Sequence, residues 1–165
     1  MAIENPDLEN ARSVEGAVLA LDIGNRRVGI AMSDPLRKIV QPVATLTRSN
    51  RRNDLRYFQR LRRHRPFTQI VAGLPLYPSG DISPQAAKAE AFAHELSEDL
   101  KLPVIFWDER LSTAEAHRYL DATGLAPTRR RPVIDQVAAV LILESWLAAQ
   151  ANEKSRQQAG SIQEN

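Results

Sequence analysis

Residues 18–34, VLALDIGNRRVGIAMSD, carry two apolar runs separated only by Gly24, Asn25, Arg26 and Arg27. A connection this short cannot cross over a sheet, so the two runs must return on each other as antiparallel neighbours. The first run is apolar on both faces until Asp22, the pattern of a strand buried inside a sheet and ending on a carboxylate. An ionised Asp in that position needs water, a cation or hydrogen-bond donors. Whatever else the fold does, it has to bring one of these to Asp22. Gly24 permits the turn, and Gly29 lets the second strand approach closely.

Short connections continue, so residues 17–23, 28–33 and 39–46 form an antiparallel meander. In NRRNDLRYFQRLRRHRP, Leu55, Phe58 and Leu61 recur at helical spacing until Pro66 stops the pattern. An apolar strand at residues 69–72 runs into Gly73-Leu74-Pro75, and a Pro, Ser, Gly and Asp loop follows at 76–82. Ser83-Pro84 then supplies an N-cap with proline in the first turn, and Ala89, Phe92, Ala93, Leu96 and Leu100 mark the buried stripe of a helix. Residues 103–107 are a fully apolar strand. Ser112 and Glu115 have capping-box spacing for a short helix to about Leu120. ATGLAPTRRRP is a flexible basic loop, and the last helix spans residues 133–150. The order β-β-β-α-β-α-β-α-α predicts an α/β fold: a mixed five-stranded sheet flanked by helices. One domain occupies residues 16–150, between flexible tails at 1–15 and 151–165, which lack apolar periodicity.

At 165 residues, the chain suits one domain with a core of its own. No apolar run approaches the roughly 20 residues of a membrane helix, and the polar N-terminus holds no signal-peptide core, so a cytoplasmic protein is expected. The absence of cysteine excludes disulfides, thiolate zinc sites and cysteine nucleophiles. The net charge is only +2, yet just four of the 22 basic residues are lysine. The rest are arginine, whose planar fork matches phosphate oxygens in pairs.

Three carboxylates lie where buried elements end: Asp22 after VLAL, Glu109 after VIFW, and Asp135 in the expected first turn of the last helix. There the helix dipole would favour the charge on Asp135, and Ala138 and Ala139 on the same side would let the helix come close to the sheet. Three converging acids would repel unless a divalent cation compensated, and an all-oxygen set points to Mg²⁺ or Mn²⁺, one or two ions. Such a cluster suits phosphodiester hydrolysis. The same positions also suit a turn cap, an ion-pair partner for Arg110 and a helix-start acid. Asp108 precedes Glu109 and by strand alternation faces the other way, which makes it the lesser metal candidate.

Arg48, Arg51, Arg52, Arg56, Arg60, Arg62, Arg63 and Arg65 are opposed within their segment only by Asp54, a pattern that favours phosphate contact over a merely solvated face. Arg129, Arg130 and Arg131 form a second basic patch, equally readable as backbone clamp or solvated loop. Tyr77 is the one good candidate for stacking on an unpaired base. His64, His94 and His117 share no metal spacing.

ALDIGNRRVGIAMSD, VAGLPLYPSGDISPQAAKAEAFAHEL, WDERLSTAEA and IDQVAAVLILESWL, four blocks in order, resemble the YqgF/RuvX-type proteins. These are bacterial Holliday-junction-resolvase-like nucleases, also described as pre-16S rRNA nucleases. The resemblance covers residues 18–147. It implies an RNase H-like fold with strand order 3-2-1-4-5 and an acidic triad on Asp22, Glu109 and Asp135. Gly73, Leu74 and Pro75 resemble the family's substrate-side loop, as does Arg110. Two departures stand out: Tyr77 replaces the Asn of many relatives, and an arginine cluster replaces a lysine-rich segment before the last helix.

The function implied is a metal-dependent endonuclease on structured RNA, maturing the 5′ end of 16S rRNA precursors, with precursor rRNA or pre-ribosomal particles as partners and no membrane. A Holliday-junction resolvase would use the same acids. A non-catalytic nucleic-acid-binding factor of ribosome assembly would use them structurally. Asp22-Ile23-Gly24 also resembles phosphate-binding turns of actin-like and sugar-kinase folds, which need two domains around a cleft and hence a longer chain.

Overall fold

The computed structural model describes residues 14–77, 79–108, 118, 121–122, 124 and 127–161. The strands β1 (Val18–Ile23), β2 (Arg27–Ser33) and β3 (Val40–Thr47) form the antiparallel meander, followed by helix α1 (Arg51–His64). Strand β4 (Gln69–Leu74), helix α2 (Pro84–Leu100), strand β5 (Val104–Asp108) and helix α3 (Pro127–Ser161) complete the described elements. The sheet runs β3-β2-β1-β4-β5, with β4 and β5 parallel to β1. The expected short helix around residues 112–120 falls almost wholly outside the described residues, as does the tail before residue 14.

Strand alternation gives the sheet two different faces. On one, Leu19, Leu21, Ile30, Ile70 and Phe106 pack under α1 and α2. On the other, Val18, Ala20, Ala31, Val71, Ile105 and Trp107 pack under Ala139, Ile142, Leu143 and Trp146 of α3. Alanines on both sides of the second contact let the helix lie close to the strands. Between β2 and β3 the Asp34 carboxylate accepts the N–H groups of Leu36, Lys38 and Ile39. These donors, led by Ile39, hold its carboxyl below the usual carboxylate range.

Helix α1 begins where Asn50 accepts from the Asn53 N–H at 2.9 Å. Leu55 and Phe58 are buried, while Arg62, Arg63 and His64 oppose the dipole at its end. Helix α2 begins as expected at Ser83, whose hydroxyl accepts from the Ala86 N–H, with Pro84 in the first turn.

Helix α3 differs from its expected form at both ends. It starts at Pro127, so the backbone of Arg129, Arg130 and Arg131 is helical and not a loop. Pro127 suits a first turn, whereas Pro132 forfeits one ladder bond inside the helix. The Pro132 carbonyl accepts from Thr45 Oγ at 2.5 Å, which ties the helix to the edge strand. At the other end the helix passes Gln150 and continues to Ser161, so residues 151–161 are helical where a flexible tail was expected. That stretch has no proline and is mainly Ala, Gln, Glu, Lys and Arg, all good helix formers. Residues 132–160 are, by length and composition only, apolar enough to cross a membrane, although Asp135 and Glu144 interrupt the apolar run. Within that stretch Ala138, Ala139, Ile142, Leu143 and Trp146 are buried against the sheet.

Candidate active site

Asp22 lies one residue from the end of β1, partly buried, on the α3 face with Val18 and Ala20. Its cross-strand partners are Gly29 on β2 and Gly73 on β4. Beyond these, Gly29 pairs with Thr45 on β3 and Gly73 with Trp107 on β5. One row across five strands therefore has a carboxylate at its centre and no side chain on either side of it.

Helix α3 fills the space over Gly29. A Cβ built there would stand 1.9 Å from the Asp135 carbonyl oxygen and 2.9 Å from the Asp135 Cβ. Since Gly29 is the direct neighbour of Asp22, roughly 5 Å away between Cα atoms, Asp135 arrives beside Asp22. Thr45 and Gln136 fix the helix at the same row, the Gln136 amide donating to Thr45 Oγ at 3.2 Å. Asp135 is in the third turn of α3, not the first, so the helix dipole does not serve its charge. Arg27 does: its Nε donates to Asp135 Oδ2 at 2.5 Å, with the side chains 33% and 17% exposed. Sequence reasoning missed Arg27, which lies in the polar turn after Asp22. Its only signal was strand parity, which puts it on the face of Gly29 and Ala31.

Glu109 and Arg110 lie outside the described residues, and among those described no three carboxylate or histidine side chains converge. Asp108 follows Phe106 in parity and pairs in register with Leu74, on the α1 and α2 face. Gly73 and Leu74 are strand residues and not a loop, and Leu74 is buried in the core. Pro75 leaves the strand, its carbonyl accepting from Ser83 Oγ at 2.6 Å. Tyr77 stands out from the following loop, 49% exposed.

Arg48 and the arginines of α1 are on the face opposite the acids and divide into two groups. Arg48 pairs with buried Asp54 at 3.6 Å and lies 4.5 Å over the Phe92 ring, Arg51 pairs with Glu95, and Arg62 donates to the Leu100 carbonyl. These hold α1 in place. Arg52, Arg56, Arg60 and Arg63 are exposed and form no ion pair among the described residues.

A mixed sheet in the order 3-2-1-4-5 flanked by helices defines an RNase H-like fold. Among solved structures, the chain is similar to Thermus thermophilus RuvC in complex with Holliday junction substrate. The TM-score is 0.51 at 12% identity, over 82% of this chain and 96% of that one. It is similar also to the Fowlpox virus resolvase with substrate Holliday junction DNA, at TM-score 0.50 and 13% identity over 81% and 97%. A family model described as RuvX: Holliday junction resolvase matches residues 16–149. The chain is 43% identical over 130 residues to a protein of Syntrophomonas wolfei, covering 79% of this chain and 92% of that one. It is 41% identical over 138 residues to one of Roseiflexus sp., covering 84% and 98%, and both bear the name "Putative pre-16S rRNA nuclease". The chain belongs to the RuvX family, a family of nucleases, which are hydrolases acting on ester bonds.

Proposed function

We propose that this chain is a metal-dependent endonuclease that hydrolyses phosphodiester bonds in structured RNA, and that its substrate is the 5′ end of precursor 16S rRNA. The observation that carries the reading is the seating of Asp135 over Gly29, the neighbour of Asp22, which brings two carboxylates from distant segments to one end of the sheet. Like charges drawn together need a compensating cation. Arg27 supplies part of that charge in the free protein. Asp22 and Asp135 would hold the ion, with Glu109 the third ligand that the family resemblance implies. Their oxygen donors fit Mg²⁺ or Mn²⁺. When bound, such an ion lowers the pKa of an attacking water and stabilises the leaving oxygen. Gly29 and Gly73 leave the strand neighbours of Asp22 without side chains, and at Gly29 that room is taken by the backbone of α3 that carries Asp135. The names of the relatives support the RNA substrate.

The fold likeness and the family description favour one further reading, a resolvase of branched DNA with the same acids. Cleavage of a precursor 16S leader and of a four-way DNA junction, each with Mg²⁺ or with chelator, separates the two. The expected result is Mg²⁺-dependent cutting of the RNA that Asp22→Asn lowers by about 100-fold or more, as loss of a metal ligand should. Unchanged cutting by a folded Asp22→Asn protein would mean that the acids are structural.

A further inference from the structure

On the α1 side of the sheet a groove of about 350 Å³ is lined by Thr47, Ser49, Asn53, Arg56, Tyr57 and Arg60, among others. Its donors are hydroxyl, amide and guanidinium groups, and Tyr57 forms a half-buried wall whose phenol burial pushes up. Arg52, Arg56 and Arg60 are four residues apart, so they rise along one side of the helix in steps of about 6 Å. That spacing is of the order of neighbouring phosphates on a strand. Among the described residues none of the three forms an ion pair, whereas Arg48, Arg51 and Arg62 anchor α1.

The groove lies on the other face of the sheet from the acids, and β3 and the linker after it connect the two. Thr47, at its mouth, is the register partner of Arg27, whose guanidinium holds Asp135. The linker after β3 is bonded to the turn after Asp22, with the Arg48 N–H donating to the Arg26 carbonyl at 2.8 Å and Arg48 Nη1 to the Gly24 carbonyl at 3.2 Å. The segments that carry the acids and the groove are thus tied together at the end of one edge strand.

We propose that a single-stranded RNA segment flanking the scissile bond passes over the end of β3 at Thr47 and lies in this groove, its phosphates on Arg56 and Arg60. This rests on the RNA reading above. The track gives the enzyme a grip on RNA that is not being cut, and it makes affinity depend on the presence of a flank.

The test compares an RNA hairpin bearing a six-nucleotide 5′ single strand with the same hairpin trimmed blunt, both bound to the full chain in Mg²⁺-free buffer. Wild type is expected to bind the flanked RNA about tenfold more tightly. Arg56→Ala/Arg60→Ala is expected to abolish that difference and to reduce the salt slope for flanked RNA by about 1.4, the loss of two single-strand phosphate contacts. Lys88→Ala/Lys101→Ala removes the same charge from exposed positions elsewhere and should keep the difference. Equal affinity of wild type for both RNAs, an unaltered difference in the arginine variant, or equal loss in the lysine control overturns the track while leaving the RNA reading intact. Failure of wild type to bind either RNA, with a four-way DNA junction bound, overturns the RNA reading itself.

Discussion

Gly29 makes the site possible through what it lacks. With the Asp135 carbonyl 1.9 Å from where a methyl group would stand, Gly29→Ala must push α3 off the sheet. The expected loss is about 3 kcal/mol or more, at the upper end for overpacking, measured as a lower urea midpoint at constant slope. Gly160→Ala, where a Cβ meets nothing within 4 Å, should leave the midpoint unchanged or raise it slightly. Arg27 gives a second expectation. Removing its guanidinium takes from Asp135 the cation it pairs with among the described residues, at a site about a third exposed on the arginine side. Arg27→Ala should therefore lower metal-free stability by about 1–2 kcal/mol. In thermal melts Mn²⁺ should narrow the gap to wild type, since the ion replaces the lost charge. A gap that Mn²⁺ does not alter would argue against Asp135 as a ligand.

At the level of elements, the parts fixed by local chemistry were legible. Ser83-Pro84 announced α2, and the four-residue turn after Ile23 dictated the hairpin. The start of α3 was not legible, because three arginines and an internal proline look like a loop, and the contact that seats this part of the helix, from Thr45 on β3 to the Pro132 carbonyl, joins residues 87 positions apart. Its end was hidden for the opposite reason: a solvated helix needs no apolar stripe, so residues 151–161 left no periodic trace. The arginine run showed its charge and not its division of labour. Which guanidinium props α1 and which is free depends on Asp54, Glu95 and the Leu100 carbonyl, and the latter two belong to another helix. Leu74 illustrates the same limit, since a motif suggested a loop where parity and burial make a core strand residue.

Across the whole molecule, the sheet separates two functions of charge. Acids lie under α3, arginines without an ion pair among the described residues lie on α1, and the end of β3 links the two faces. Sequence parity could place Asp22 on a face, but not the contact of Gly29 with Asp135, which links positions some hundred residues apart without a local signature. The folded unit also ends before its last helix does. Beyond Gln150 almost every described side chain is exposed, so a chain truncated after Gln150 should keep its stability within about 0.5 kcal/mol. A larger drop in its urea midpoint would show that residues 151–161 pack on something.

The seating of Asp135 on Gly29 has a consequence for the order of events during synthesis. The meander with Asp22 leaves the ribosome early and can pair locally, whereas Asp135 belongs to the last element made. A nascent chain therefore carries a hairpin with a half-built site through most of its translation. On the proposed reading, the acid row is complete only when the final helix docks, so hydrolytic competence would arrive late in synthesis.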